Sequence, residues 1–161
     1  MFHHLNNLPV INARYVVEAL HANYELSYKP NQIKASSSFN NNVLVKSIQN
    51  KFGKCGGVYI KNMPWSYYDW HTDIGRQCSI NWVLKSSPTA LTLFRNKIDA
   101  PEGMRSIMYD ITEIDYVMFK PTLLNTTHEH CVINASDHER IIFSLSINAP
   151  FNDVKEFLSV V

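Results

Sequence analysis

No apolar run in the chain approaches the roughly 20 residues needed to span a bilayer. The opening Met1-Phe2-His3-His4-Leu5-Asn6-Asn7 lacks the basic start and apolar stretch of a secretory leader. A soluble, cytoplasmic protein with no membrane association is expected. Cysteine is scarce. Cys55, Cys78 and Cys131 are an odd number with no close spacing, which argues against a disulfide framework and for buried, reduced thiols. An excess of one charge is also lacking. A formal net charge of +1 with 18% charged residues leaves no basic surplus to neutralise many phosphates, so nucleic acid is not indicated as a partner. Internal repeats and clear linkers are missing, and nothing marks an oligomeric state.

What is present is apolar material in short pieces. With 161 residues, 45% hydrophobic and 12% aromatic, the chain can bury one core, and a single domain over residues 1–161 is expected. From Asn12 to about Glu25, Ala13, Val16, Val17 and Leu20 recur at helical spacing behind a capping asparagine, predicting a supporting amphipathic helix. The polar tract Ser36 to Asn42 reads as a loop, either a plain solvated connection or part of a substrate entrance that Lys61 to Tyr68 would also shape. Beyond residue 55, short Val-, Ile-, Tyr-, Phe- and Thr-rich segments alternate with Gly, Pro, Asn and Asp. They predict strands near 56–62, 66–73, 77–85, 90–95, 105–110, 115–120, 122–134 and 139–148, with a short helix over 152–158. The fold class is mainly β: a cupin-like jelly roll over about 56–148 with helical support over about 1–50. The mouth of such a fold can hold a metal or a ligand.

Two segments stand out: Trp70-His71-Thr72-Asp73, and His128-Glu129-His130-Cys131-Val132-Ile133-Asn134 followed ten positions after His130 by Arg140. On a strand, residues i and i+2 project from one face, so His71 and Asp73 can meet one ion while Thr72 points away. His130 would come alongside from a distant strand. Two imidazoles and one carboxylate occupy one face of an octahedron and leave three adjacent positions open, as oxygen activation at Fe(II) requires. His128 has the same parity as His130 and is the alternative downstream ligand. The charges extend the argument. Fe(II) with one carboxylate carries +1, doubly charged 2-oxoglutarate turns that to −1, and the guanidinium of Arg140 offers a planar fork for the distal carboxylate. On the last strand Arg140, Ile142, Ser144 and Ser146 share the face expected to line the site, while Ile141, Phe143, Leu145 and Ile147 share the face expected in the core.

At His71-Thr72-Asp73, at His130-Cys131-Val132-Ile133-Asn134 and at Arg140-Ile141-Ile142-Phe143-Ser144 the chain resembles the Fe(II)/2-oxoglutarate-dependent dioxygenases built on a double-stranded β-helix. The likeness is nearest to small prolyl-hydroxylase-like and aspartyl/asparaginyl-hydroxylase-like members, including compact virus-encoded ones, and covers about residues 56–148. It implies that His71, Asp73 and His130 bind Fe(II) and act in catalysis, and that Arg140 binds 2-oxoglutarate. It also implies that O2 drives decarboxylation to succinate and CO2 with hydroxylation of a small-molecule or peptidyl substrate. Tyr59, Tyr67, Arg76, Ser79 and Asn81 are further candidates for hydrogen bonds to the co-substrate, and Arg76 alternatively projects to the substrate. Two departures stand. Position 142 is Ile where many relatives have Ser two residues after the arginine, the serine here being Ser144. Asp73 is present where some relatives lack the carboxylate, which also argues against halogenation. Two other functions remain open: a catalytically silent jelly-roll metal-binding or structural module, and a cupin-like metalloenzyme that does not use 2-oxoglutarate.

Overall fold

The structure, a computed structural model, describes residues 1–24, 31–36, 39, 41–103 and 107–160. Chain order is β1 (Phe2–His4), α1 (Ala13–His21), β2 (Asn31–Lys34), α2 (Val43–Phe52), β3 (Gly56–Asn62), β4 (Ser66–His71), β5 (Cys78–Lys85), β6 (Ala90–Ile98), β7 (Met108–Glu113), β8 (Pro121–Asn125), β9 (His130–Asn134), β10 (Arg140–Ile147) and α3 (Phe151–Ser159). Two antiparallel sheets form, one ordered β1-β8-β5-β10-β3-β2 and the other β4-β9-β6-β7. This is the expected mainly β jelly roll. The helices contribute their apolar faces to one side of the larger sheet, and the smaller sheet lies on the other.

The alternation in β5 and β10 explains that layering. Cys78, Ile80, Trp82 and Leu84 of β5 join Ile141, Phe143, Leu145 and Ile147 of β10 in the main core, with Tyr15 and Ala19 of α1, Val45 and Ile48 of α2, and Val154 and Leu158 of α3. Both strands are buried on both faces, where apolar residues would be usual. Instead the opposite face carries Ser79, Asn81, Ser144 and Ser146, so polar groups are held between the sheets. Gly57 on β3 permits close packing in the core, since a Cβ there would meet the Phe143 ring at 2.8 Å.

Several expectations need correction. The first fifty residues are not only helical, because β1 and β2 extend the larger sheet by pairing with β8 and β3. Helix α1 is capped by Asn12 as expected, but Tyr15 and Ala19 form its buried stripe while Val17 and Leu20 are exposed. The larger ring of Tyr15, edge-on to Phe39 at 5.2 Å, sets that rotation. The expected end near Glu25 and parts of the 36–42 and 105–110 segments lie outside the described residues. Within the 36–42 tract, Asn42 caps the unexpected α2 by accepting from the Leu44 amide. No strand occupies 115–120. Phe119 there takes φ 64, a left-handed conformation that breaks extended pairing. The 122–134 segment is two strands, interrupted where the Asn125 side chain accepts from the amide and hydroxyl of Thr127 and bends the chain.

Candidate metal centre

β4 and β9 are antiparallel neighbours, and His71 stands directly opposite His130. Their ring centroids are 4.3 Å apart. In each imidazole Nδ1 faces a backbone carbonyl, that of Asp69 at 2.6 Å for His71 and that of His128 at 2.9 Å for His130. A carbonyl only accepts, so in each neutral imidazole Nδ1 carries the proton and Nε2 presents a lone pair, the form a metal needs. Burial, the largest influence, holds the His130 imidazole below its ordinary pKa and favours the neutral ligand form.

Asp73 lies beyond the end of β4, not within a strand reaching residue 73 as the i, i+2 argument required. Its place comes from a backbone bond, the Asp73 amide donating to the Thr126 carbonyl at 3.0 Å. Its carboxylate oxygens lie 3.9 Å from His71 Nε2 and 3.9 Å from His130 Nε2. Among the described residues these three side chains form the one group of possible ligands whose donor atoms all lie within 4.8 Å of one another. Ligands around one ion at about 2.1 Å sit about 3 Å apart when adjacent, so side-chain movements of roughly 1 Å close the set on a divalent cation. His128 is not part of it. Its ring turns to Asn96 at 3.2 Å, and only its carbonyl serves the centre.

The centre opens into a cavity of about 80 Å³ whose wall includes Asn62, Tyr68, Arg76, Ser79, Asn81, Thr92, Tyr116 and Ile142 beside the three ligand candidates. Arg76, brought back by the left-handed turn at Gly75 (φ 83), donates from Nε to Asp73 at 2.7 Å and from Nη1 to Ser144 and Ser146 at 3.1 and 3.0 Å. Ser79 Oγ, Asn81 Oδ1 and Asn62 Oδ1 are buried without a hydrogen-bond partner among the described residues. Polar atoms left so are costly unless something else satisfies them.

Arg140 is 1% exposed. Its Nη2 donates to Thr92 Oγ1 at 2.8 Å, its guanidinium lies over the Tyr116 ring at 5.4 Å, and among the described residues its Nε and Nη1 have no hydrogen-bond partner. Thr92 and Tyr116 make the cavity wall there, so Arg140 stands one layer behind the surface it was expected to line. Burial lowers its pKa, with Tyr116 acting in the opposite direction.

Tyr67 and Tyr59 fall elsewhere. Tyr67 is exposed and bonds Asp69, because a bulge between Tyr68 and His71 breaks the parity that would have put residues 67 and 71 on one face. Tyr68 takes that place, its ring 4.1 Å from His71. Tyr59 packs in the core at 5.3 Å from Phe143. Asn134 has a structural task, donating to the Met63 and His138 carbonyls and tying two loops together. Tyr68, Thr92 and Tyr116 were missed. Thr92 had a usable signal, since it alternates with Leu91 and Leu93; the other two depend on a bulge and a turn with no mark in the sequence.

No family model matches the sequence, and no curated protein matches it. Solved structures do match in shape. A 2OG-Fe(II) oxygenase family oxidoreductase from Burkholderia pseudomallei superposes with a TM-score of 0.60 at 10% identity, over 86% of this chain and 79% of that one. EvdO2 from Micromonospora carbonacea var. aurantiaca, solved with 2-oxoglutarate, gives 0.55 at 13% identity over 86% and 80%. SnoK, a non-heme alpha-ketoglutarate-dependent carbocyclase from nogalamycin biosynthesis, gives 0.51 at 9% identity over 84% and 71%. At such identities the likeness is one of architecture: this chain has the jelly-roll fold on which those three proteins are also built.

Proposed function

We propose that the protein is an Fe(II)- and 2-oxoglutarate-dependent oxygenase that uses O2 to hydroxylate a small-molecule or peptidyl substrate, releasing succinate and CO2. The observation that carries this reading is the convergence of two Nε2 lone pairs and one carboxylate on a cavity backed by a buried guanidinium with two unpartnered nitrogens. His71, Asp73 and His130 hold the iron, which supplies the oxidising chemistry when bound. Arg76 fixes the Asp73 carboxylate through its Oδ2. Arg140 provides the positive charge that a distal carboxylate needs at the Thr92 and Tyr116 wall, and the Ser79 hydroxyl offers it a hydrogen bond. Ile60, Leu124, Val132 and Ile142 keep the remaining wall apolar and limit water. The His130 to Asn134 run with Arg140 supports a prolyl- or aspartyl/asparaginyl-hydroxylase-like member.

The test is anaerobic addition of Fe(II) and 2-oxoglutarate. A visible charge-transfer band is expected, followed by succinate on admitting oxygen. No band at saturating iron would refute the assignment. A second reading, a cupin-type metalloenzyme that does not use 2-oxoglutarate, draws on the place of Arg140 behind Thr92 and Tyr116. It predicts metal binding with no response to the keto acid.

A further inference from the structure

The outer face of the smaller sheet carries a feature that the site itself does not use. Arg95 on β6 lies between two aromatic rings, its guanidinium 4.7 Å from the Trp70 ring centroid and 4.5 Å from that of Tyr109. Its Nε and Nη2 donate to the two oxygens of Glu129 at 2.9 and 3.1 Å, a bidentate fork, and its backbone amide donates to the Glu129 carbonyl at 3.0 Å. Trp70 immediately precedes His71, and Glu129 immediately precedes His130.

The two tripeptides are built alike. In Asp69-Trp70-His71 and in His128-Glu129-His130, the carbonyl of the first residue takes the Nδ1 proton of the third, at 2.6 and 2.9 Å. The middle side chain in each goes to Arg95. In extended backbone, successive side chains take opposite faces, so a grip on the middle residue from outside fixes the rotation of the peptide that aims the imidazole inside. The β4 side needs such a grip most, because the bulge between Tyr68 and His71 removes regular ladder pairing just before the histidine. Asp69 is restrained as well, its carboxylate accepting from the Trp70 amide and the Tyr67 hydroxyl at 2.7 Å each.

We propose that Arg95 is a positioning residue for both imidazoles of the metal centre, setting from the far side of the sheet the carbonyl orientation and mutual spacing that present the two Nε2 atoms to one ion. This rests on the metal-centre reading above. Planarity matters as much as charge, since only a guanidinium can stack between two rings while binding both oxygens of one carboxylate. An ordinary surface ion pair in the same place would leave ion affinity unchanged.

The test uses the full chain and Co2+ as the probe. Affinity by titration, the visible ligand-field spectrum and the melting temperature of the metal-free protein are measured for the unaltered chain, Arg95→Ala and Arg95→Lys. Both variants are expected to bind Co2+ about 10-fold more weakly or worse, as when groups that orient metal-binding histidines are lost. An altered spectrum should accompany this, with metal-free melting nearly unchanged for Arg95→Lys. If Arg95→Ala fails to fold, the lysine variant decides. Affinity within about 2-fold of the unaltered chain and an identical spectrum in Arg95→Lys would overturn the role of Arg95 alone. Failure of the unaltered chain to bind Co2+ would overturn the metal centre and this role together.

Discussion

Replacing Arg140 by Met should have two opposite effects. The guanidinium is 1% exposed and, among the described residues, hydrogen-bonds Thr92 at 2.8 Å, with Tyr116 under it at 5.4 Å. That is thin compensation for a buried charge, and exchange of buried ionic groups for apolar ones of similar volume is often neutral or stabilising by about 1–4 kcal/mol. Thr92 loses a donor worth about 1 kcal/mol, so a net gain of about 0–3 kcal/mol is expected. For a chain of this length that leaves the melting temperature unchanged or raises it by up to about 12 °C. Affinity for 2-oxoglutarate should move the other way. Loss of a buried charge that engages a carboxylate costs about 2–5 kcal/mol, roughly 30-fold or more in Kd. Circular dichroism melts of the metal-free protein and anaerobic titration of the Fe(II) charge-transfer band read the two quantities. A variant that melts well below the unaltered protein yet binds the keto acid equally well would show that Arg140 is a structural cation, and the argument from its unpartnered nitrogens would fail.

Burial pushes the Cys78 thiol up to about 12 and raises those of Cys55 and Cys131, so the native protein should not react with dithionitrobenzoate at about pH 8, whereas the unfolded chain should titrate three thiols. Gly57→Ala places a methyl 2.8 Å from the Phe143 ring and should cost about 1–3 kcal/mol by overpacking, seen as a lower denaturation midpoint in urea. Glu139 joins β3 to β5 across the start of β10, 3.0 Å from Lys61 and 3.4 Å from Lys85, and the Lys61 hydrogen bond holds its carboxyl below the ordinary 4.5. Its folded pKa being depressed, the stability it adds is present above that ordinary value and is lost as the pH falls through the lowered one. Glu139→Gln should therefore cost about 0.5 kcal/mol near pH 7 and nothing near pH 2, and an equal difference at both pH values would contradict the ion-pair account.

The sequence showed most clearly what depends on alternation over long strands. The two faces of β10 and β5 were readable because Ile141, Phe143, Leu145 and Ile147 interleave with Ile142, Ser144 and Ser146, and the same parity put Ser79 and Asn81 at the cavity. His71, Asp73 and His130 come together as expected, although Asp73 does so by a route the spacing did not reveal. Parity failed at the bulge, where Tyr68 replaces Tyr67, because one irregular pair shifts the later residues to the other face. It failed again at residues 115–120, where the turn at Phe119 brings Tyr116 over Arg140. Helix α2 was hidden by β-branched Val43 and Val45, yet the Asn42 cap followed by Val45, Ile48 and Phe52 carries a helical period that outweighs their strand preference.

β10, the last strand among the described residues, lies in the middle of the larger sheet, between β5 and β3. Until residue 147 has left the ribosome, those two strands have no neighbour to join them, and Arg76 has neither Ser144 nor Ser146 to hold it. The larger sheet therefore cannot be joined in stages. The larger sheet is joined only when β10 inserts, so loss of β10 leaves two open strand edges rather than a slightly loosened domain.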